Sequence, residues 1–266
     1  MKIQYEQAIF SCSPNSSIER NLIKMRIKKS VGRWIGKPYR VDPYLSLCRK
    51  LLVSVPAPIV IDVGANIGTT VLPLAKQFPN GHFIAIEPHP LPAARFIQNC
   101  QMNALGNVSL VQAAIHSATG LTKIYTCSSN SGGHRLTGFE GRSDLAPLSA
   151  LQYVSVFSLP LSRVFQSFNL TYCHVLKIDV EGMEWDVLES LGDFLTPSRI
   201  GTVIAEYGPE GMRKAGKSGW DLVHLMLSKG YRCQELTTGK SICCKEDIPA
   251  LPDYTVTDFV FASTHF

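Results

Sequence analysis

The chain has 266 residues, 45% of them hydrophobic and 18% charged, enough to bury one sizeable core and more than a minimal α/β domain needs. No apolar run approaches the roughly 20 residues of a membrane-spanning helix, and the start, MKIQYEQAIFSCSPN, lacks the basic-then-apolar layout of a secretory signal; a cytoplasmic protein without a transmembrane segment is expected. The net charge of +5 divides unevenly, with 11 Lys/Arg against 3 Asp/Glu in residues 1–58 (+8) and −3 over the remainder.

A basic arm of this kind suits an anionic substrate, nucleic acid or a membrane surface, and equally a solvated helical face. Within it, Ser16 and Glu19 have capping-box spacing, and Asp42 followed by Pro43 is a second helix start. Two helices are therefore expected in a basic N-terminal extension over residues 1–57. From residue 58 to 266 the pattern is that of one α/β domain.

Strand-like runs fall at Ile59–Val63, His82–Glu87, Val108–Ala114, Val175–Val180, Thr202–Glu206, Tyr231–Leu236 and Asp258–Ser263. Helical patterns at Ile67–Gln77, Pro92–Ala104, Leu161–Phe168, Trp185–Leu191 and Trp220–Lys229 lie between them. Alternation of this type gives a Rossmann-like fold, a seven-stranded, mostly parallel sheet with helices on both faces. Residues 115–158 are too long for an ordinary connection; they hold the polar stretch TCSSNSGGHR between β-like runs at 121–126 and 152–158, and read as an insertion or long loop. The eight cysteines show no C-x-x-C or Cys/His cluster of zinc spacing, so buried reduced thiols are expected, and the adjacent Cys243 and Cys244 are only weakly suggestive of redox chemistry.

The most informative stretch is IVIDVGANIGTTVLPLA, residues 59–75. A buried strand reaches Asp62, and Gly64 and Gly68 then permit a tight turn and a closely packed helix. A dinucleotide site requires G-x-G-x-x-G so that the backbone can approach a pyrophosphate. Here Gly64-Ala65-Asn66-Ile67-Gly68 lacks the middle glycine. S-adenosylmethionine has no pyrophosphate, and its amino group suits an acceptor at Asp62. Glu87 follows Gly68 by 19 residues, close to the offset of about 20 expected for an acid that binds ribose hydroxyls. Pro88 and His89 are then expected beside the adenine, with Gln112, Ala113 and Ala114 on its other side.

The segments IDVGANIGTT (61–70), IEPHP (86–90) and above all LKIDVEGMEWDVLES (176–190) resemble the FkbM family of methyltransferases. The resemblance covers roughly residues 58–207. It implies a class I methyltransferase fold, S-adenosyl-L-methionine as cofactor and, commonly, O-methylation of a hydroxyl on a sugar, glycan or secondary metabolite. Where the family carries a T-L-D-like segment before its last motif, this chain has FSLPLSRVF, with Leu161 or Ser162 in place of the aspartate.

Methyl transfer is an in-line displacement that needs a positioned acceptor and, for a hydroxyl, a nearby proton acceptor. Asp179 and Glu181 end the fourth strand, where open α/β sheets bind ligands. Asp179 is the expected base, with Glu181 orienting the acceptor or, with Asp179, ligating a magnesium-like divalent metal. His134 in the insertion and His174 ahead of the strand are alternative bases. Glu206 is either an acceptor-pocket residue or a plain strand-end acid, while Glu184 reads as complementing a helix N-terminus. Met183, Val187, Leu188 and Leu191 have core spacing. The absence of an N-P-P-Y-like turn argues against a base amine as acceptor, and an alternative RNA or protein methyltransferase recruited by the basic arm has only Trp34, Tyr39 and Tyr44 for stacking there. A non-catalytic cofactor-binding module is the third reading. The favoured partner is a small-molecule or glycan acceptor, with no nucleic acid and with membrane-surface contact left to the basic arm.

Overall fold

The computed structural model describes residues 2–11, 42–125, 153–253 and 255–263. It begins with a hairpin, β1 (Lys2–Tyr5) and β2 (Ala8–Ser11), followed by α1 (Pro43–Leu52). The next units are β3 (Ile59–Val63), α2 (Val71–Gln77), β4 (His82–Ile86), α3 (Pro90–Met102) and β5 (Val108–Val111). The insertion holds β6 (Ala114–Ile115), β7 (Gly120–Tyr125) and β8 (Tyr153–Leu159). Then come α4 (Leu161–Ser167), β9 (Cys173–Ile178), α5 (Glu184–Glu189), β10 (Ile200–Tyr207), α6 (Pro209–Lys214), α7 (Gly219–Ser228), β11 (Arg232–Glu235), β12 (Ser241–Ile242) and β13 (Thr257–Ala262).

The central sheet has the order β12-β11-β13-β10-β9-β3-β4-β5. β10, β9, β3, β4 and β5 are parallel, and β13 lies antiparallel between β10 and β11. This is a Rossmann-like class I methyltransferase fold. The seven expected strands are all present, and the two-residue β12 adds an eighth at the edge. From β3 the chain winds outward through β4 to β5, then returns to place β9 on the other side of β3. The reversal of winding between β3 and β9 opens a crevice at the carboxyl ends of these strands, the place where open α/β sheets take ligands.

Strict alternation along the buried strands builds two cores. Val60, Phe83, Ala85, Val175, Ile204 and Val260 face the hairpin, α1, α2 and α3. Ile61, Ile84, Leu176, Val203 and Phe261 face α4, α5 and α7. Both faces are thus covered, as parallel sheets require. Asp42 caps α1 by accepting from the Tyr44 and Leu45 amides at 2.9 and 3.3 Å, with Pro43 in the first turn as its fixed φ favours.

Four local readings change. Residues 2–11, part of the extension expected to be helical but carrying neither helix signal, form a hairpin; Ile3, Ala8 and Phe10 are fully buried on it. The helix expected from Ile67 begins at Val71, because Gly68 at φ +92° and a Gly68 N–H···Ala65 carbonyl turn occupy the preceding residues. The run expected as one strand over Val108–Ala114 splits. Val108–Val111 stays in the central sheet, whereas Ala114–Ile115 pairs with β8 in a separate three-stranded sheet of order β6-β8-β7. α6, six residues long, was not anticipated. The Ser16–Glu19 helix signal lies outside the described residues. Among the described residues, no helix is long and apolar enough to cross a membrane.

The hairpin is fastened to α3 by amide side chains. Asn103 Oδ1 accepts from the Ile9 amide at 2.7 Å and its Nδ2 donates to the Ile9 carbonyl at 2.6 Å, while Asn99 Oδ1 accepts from Ser11 at 2.8 Å. Asn103→Ala leaves both Ile9 groups partly buried without these partners, and urea denaturation is expected to register a loss of about 1–3 kcal/mol. A midpoint and slope equal to those of the unsubstituted chain would refute this role.

Candidate functional site

The crevice is built on the abutment of β3 and β9. The Asp179 amide donates to the Val63 carbonyl at 3.0 Å, extending the ladder past the last strand residue. Across from it the Gly64 and Ala65 amides both donate to the Ile86 carbonyl, at 2.9 and 3.0 Å. Gly64 stands at φ +85°, and a Cβ on it would lie 1.9 Å from the Asp179 carbonyl oxygen. Glycine is therefore demanded twice, by the left-handed backbone and by the contact. Asn66 follows, also left-handed at φ +50°. Gly68 lets α2 settle against Phe96, since a Cβ there would meet Leu72 at 2.1 Å and Phe96 at 3.0 Å.

Glu87 forms the opposite lip. Its Oε2 accepts from the Asn66 amide and its Oε1 from the His89 amide, both at 2.9 Å. The side chain is thus locked while lone pairs on both oxygens remain for a ligand. Burial pushes its carboxyl up to about 7, against the lowering effect of the two amides. One cavity is lined by Val63, Gly64, Asn66, Glu87, Pro88 and Ala113, and continues along Ala114, Ile115 and Ile124. Ala113 and Ala114 bring small side chains to the lining, and Ile124 joins it from the insertion.

The far wall of the same cavity comes from the turn after β9: Asp179, Val180, Glu181 and Met183. Asp179 Oδ2 accepts from Lys177 Nζ at 3.0 Å. Lys177 is buried and also lies 3.4 Å from Asp62 Oδ1. Asp62 is fully buried, accepts a hydrogen bond from Thr70 Oγ1 through Oδ2, and its Oδ1 makes no aligned hydrogen bond. Pairing with two carboxylates raises the Lys177 ammonium against the lowering effect of burial. At the neighbouring strand ends Glu206 is raised well above the carboxylate range, by burial first and then by Asp179, Glu181, Glu184 and Asp258. Burial likewise pushes Asp258 up to about 6, against the lowering effect of Lys177.

Of the residues expected to hold a cofactor, Gly64, Asn66, Glu87, Pro88, Ala113 and Ala114 meet in this cavity, as do Asp179 and Glu181. Asp62, Ala65 and Gly68 do not line it; they stand behind the turn. His89 is buried and caps α3, its Nδ1 accepting from the Leu91 amide at 3.3 Å. His134 lies outside the described residues. His174 sits at the other edge of the sheet, where its Nδ1 accepts from the Ile59 amide at 3.0 Å. Among the described residues no cluster of three or more His, Cys, Asp or Glu side chains has a metal-holding arrangement. Sequence reasoning passed over Lys177 and Thr70. A lysine inside the apolar run CHVLKI was the available signal, because a cation in a buried strand demands partners.

A family model described as "Methyltransferase FkbM domain" matches residues 62–233. The chain belongs to the FkbM methyltransferase family. Within the FkbM domain fall all the cavity-lining residues, whereas the hairpin, α1 and β13 lie outside the match. "Methyltransferase 1" of Beauveria bassiana is 25% identical over 147 residues, covering 50% of this chain and 58% of that protein. "2-O-methyltransferase NoeI" of Sinorhizobium fredii is 26% identical over 167 residues, covering 60% and 67%. The matches therefore span about three fifths to two thirds of these relatives' lengths. The solved structure of precorrin-6y C5,15-methyltransferase from Geobacter metallireducens is similar with a TM-score of 0.41 at 14% identity, covering 82% of this chain and 86% of that one.

At the start of α4, where Leu161 or Ser162 was expected to replace an aspartate, Leu161 is fully buried and its amide donates to Ser190 Oγ at 3.0 Å. Gly64→Ala is the sharpest test of the crevice. It places a methyl group inside the Asp179 carbonyl and is expected to cost about 3 kcal/mol or more, lowering the melting temperature by several degrees. An unshifted melting curve would show that β3 and β9 do not meet as described.

Proposed function

We propose that this protein is an S-adenosylmethionine-dependent O-methyltransferase whose acceptor is a hydroxyl on a sugar, glycan or secondary metabolite. The observation that carries the reading is the shared cavity, which Glu87, Asp179 and Glu181 line together with the apolar Pro88, Ala113 and Ala114. Glu87 suits a ribose, because two fixed acceptor oxygens 2.9 Å from backbone amides can each take one hydroxyl. Pro88, Ala113 and Ala114 suit a planar base. Gly64 brings backbone to the ligand without side-chain bulk. Asp62 acts from behind, holding the turn through Thr70 and bridging to Asp179 through Lys177.

The donor supplies an electrophilic methyl group when bound. The chain's task is then to hold an acceptor oxygen in line with that methyl and to receive its proton. Lys177 fixes Asp179 in orientation, and Asp179 accepts the hydroxyl proton as the new O–C bond forms. Glu181, on the same wall, orients the acceptor. NoeI of Sinorhizobium fredii, named a 2-O-methyltransferase, agrees with a hydroxyl acceptor. The decisive experiment incubates the purified chain with methyl-labelled S-adenosylmethionine and a cell extract. Label in a base-stable, carbohydrate-containing or small-molecule fraction supports the reading, and label confined to RNA or protein overturns it.

Two further outcomes follow from the geometry. Ribose hydroxyls donate to an ionised Glu87, and burial pushes its carboxyl up to about 7. Donor affinity is therefore expected to fall about tenfold per unit as the pH drops below 7, and to level off above about 8. Glu87→Gln abolishes this dependence and weakens binding about tenfold to a hundredfold by calorimetry. A flat pH profile for the unsubstituted chain would remove Glu87 from the site. Asp179→Asn is expected to lower turnover about a hundredfold or more while leaving donor affinity within a few fold. Turnover that survives this change places the proton acceptor elsewhere.

A further inference from the structure

The turn Asp179-Val180-Glu181-Gly182 has an improbable backbone. Glu181 is left-handed at φ +60° and Gly182 stands at φ +110°. A non-glycine residue pays for that conformation unless its surroundings impose it. Two contacts impose it here. From below, Gly182 is pressed on α6, where its missing Cβ would lie 2.5 Å from the Gly211 carbonyl carbon. A Cβ on Gly211 would in turn come within 3.0 Å of Gly182 Cα and 3.2 Å of the Glu181 carbonyl oxygen. From the side, Glu184 Oε1 accepts from both the Val180 and Gly182 amides, each at 3.1 Å, straddling Glu181.

Glu184 is 1% exposed, and a charge is not placed there for helix-end electrostatics alone, which exposed acids supply at lower cost. Its Oε2 has no hydrogen-bond partner. We infer that Glu184 is a positioning residue, clamping the amides on either side of Glu181 so that Glu181 and Asp179 are presented to the cavity. The inference rests on the methyltransferase reading for its effect on rate, but not for the clamp itself. What the clamp requires of residue 184 is an acceptor oxygen, not a charge. Burial pushes the Glu184 carboxyl up to about 7 against the lowering effect of the amides it accepts from, with Asp179 adding to the rise. The groups that bear on this region are Asp179, Glu181, Glu206, Asp258 and Lys177.

The test compares Glu184→Ala, Glu184→Gln and Gly211→Ala in the full chain. Three quantities are read: amide exchange at Val180 and Gly182 by NMR, S-adenosylmethionine affinity by calorimetry, and transfer of labelled methyl to extract acceptors. Glu184→Ala is expected to speed exchange at both amides about tenfold or more and to cut transfer about thirtyfold, with donor affinity within about threefold. Glu184→Gln keeps the acceptor oxygen and is expected to recover most of the rate and the slow exchange. Gly211→Ala pushes the turn from below with Glu184 intact, so it lowers transfer even if the Glu184→Ala chain does not fold. Transfer undiminished in Glu184→Ala or in Gly211→Ala overturns the inference, as does Glu184→Gln failing like alanine at an unchanged melting temperature. A wild-type chain that binds no donor sinks the methyltransferase reading instead, and the exchange measurement still decides the clamp.

Discussion

Two parallel strands that wind in opposite directions cannot be bridged by a helix at the point where they part, and here β3 and β9 are held together at that point by backbone alone. The Asp179 amide reaches the Val63 carbonyl, and the Asp179 carbonyl occupies the space a Gly64 side chain would need. The glycine turn after β3 and the acid-bearing turn after β9 are therefore one piece of structure. Because the contact is between main chains, it fixes the spacing of the two walls independently of side-chain rotamers. Everything displayed at the crevice, from Glu87 and Asn66 on one side to Asp179 and Glu181 on the other, takes its position from that join.

Behind the join lies a polar layer that the α1 face of the sheet covers. Lys177 lies between Asp62 and Asp179, and Asp62 takes Thr70. Burying such groups is expensive, and pairs of this kind add little to net stability compared with apolar packing. Their use is geometric, since a buried cation with two acids on either side has one low-energy arrangement. The carboxyls that this layer does not neutralise carry raised proton affinity: Glu87 and Glu184 are pushed up to about 7 and Asp258 to about 6, each by burial. Of these only Glu87 lines the cavity, beside Asp179 and Glu181.

The buried strands were legible because a parallel sheet covered on both faces writes itself as short apolar runs. Ile59–Val63 coincides with β3, and Cys173–Ile178 is offset from the expected strand by two residues at each end. Other elements were obscured by effects the local pattern does not carry. Residues 2–11 alternate as a strand does, but over only four residues a side, and their partner Asn103 lies 94 positions away. α6 has six residues, opens on a Gly-Pro pair and reads as a loop, and packing against Gly182 makes it a helix. Asp62 looked like a ligand because it ends a strand beside a glycine turn. The pleat sends it to the covered face, one residue out of phase with Val63, which does line the cavity.

For this protein the order of residues determined the fold class, the glycine turn, the acid that follows β4 and the family, since each is written in short segments and in a buried pattern of period two. Tertiary structure alone decided which acids share a cavity, that Lys177 separates Asp62 from Asp179, and that Glu184 serves the turn before it rather than the helix after it. The first two depend on β3 and β9 meeting across more than 100 residues, Gly64 against Asp179 above all, and the third on Gly182 meeting Gly211. A one-dimensional pattern registers that a glycine is present there, but not what it must make room for.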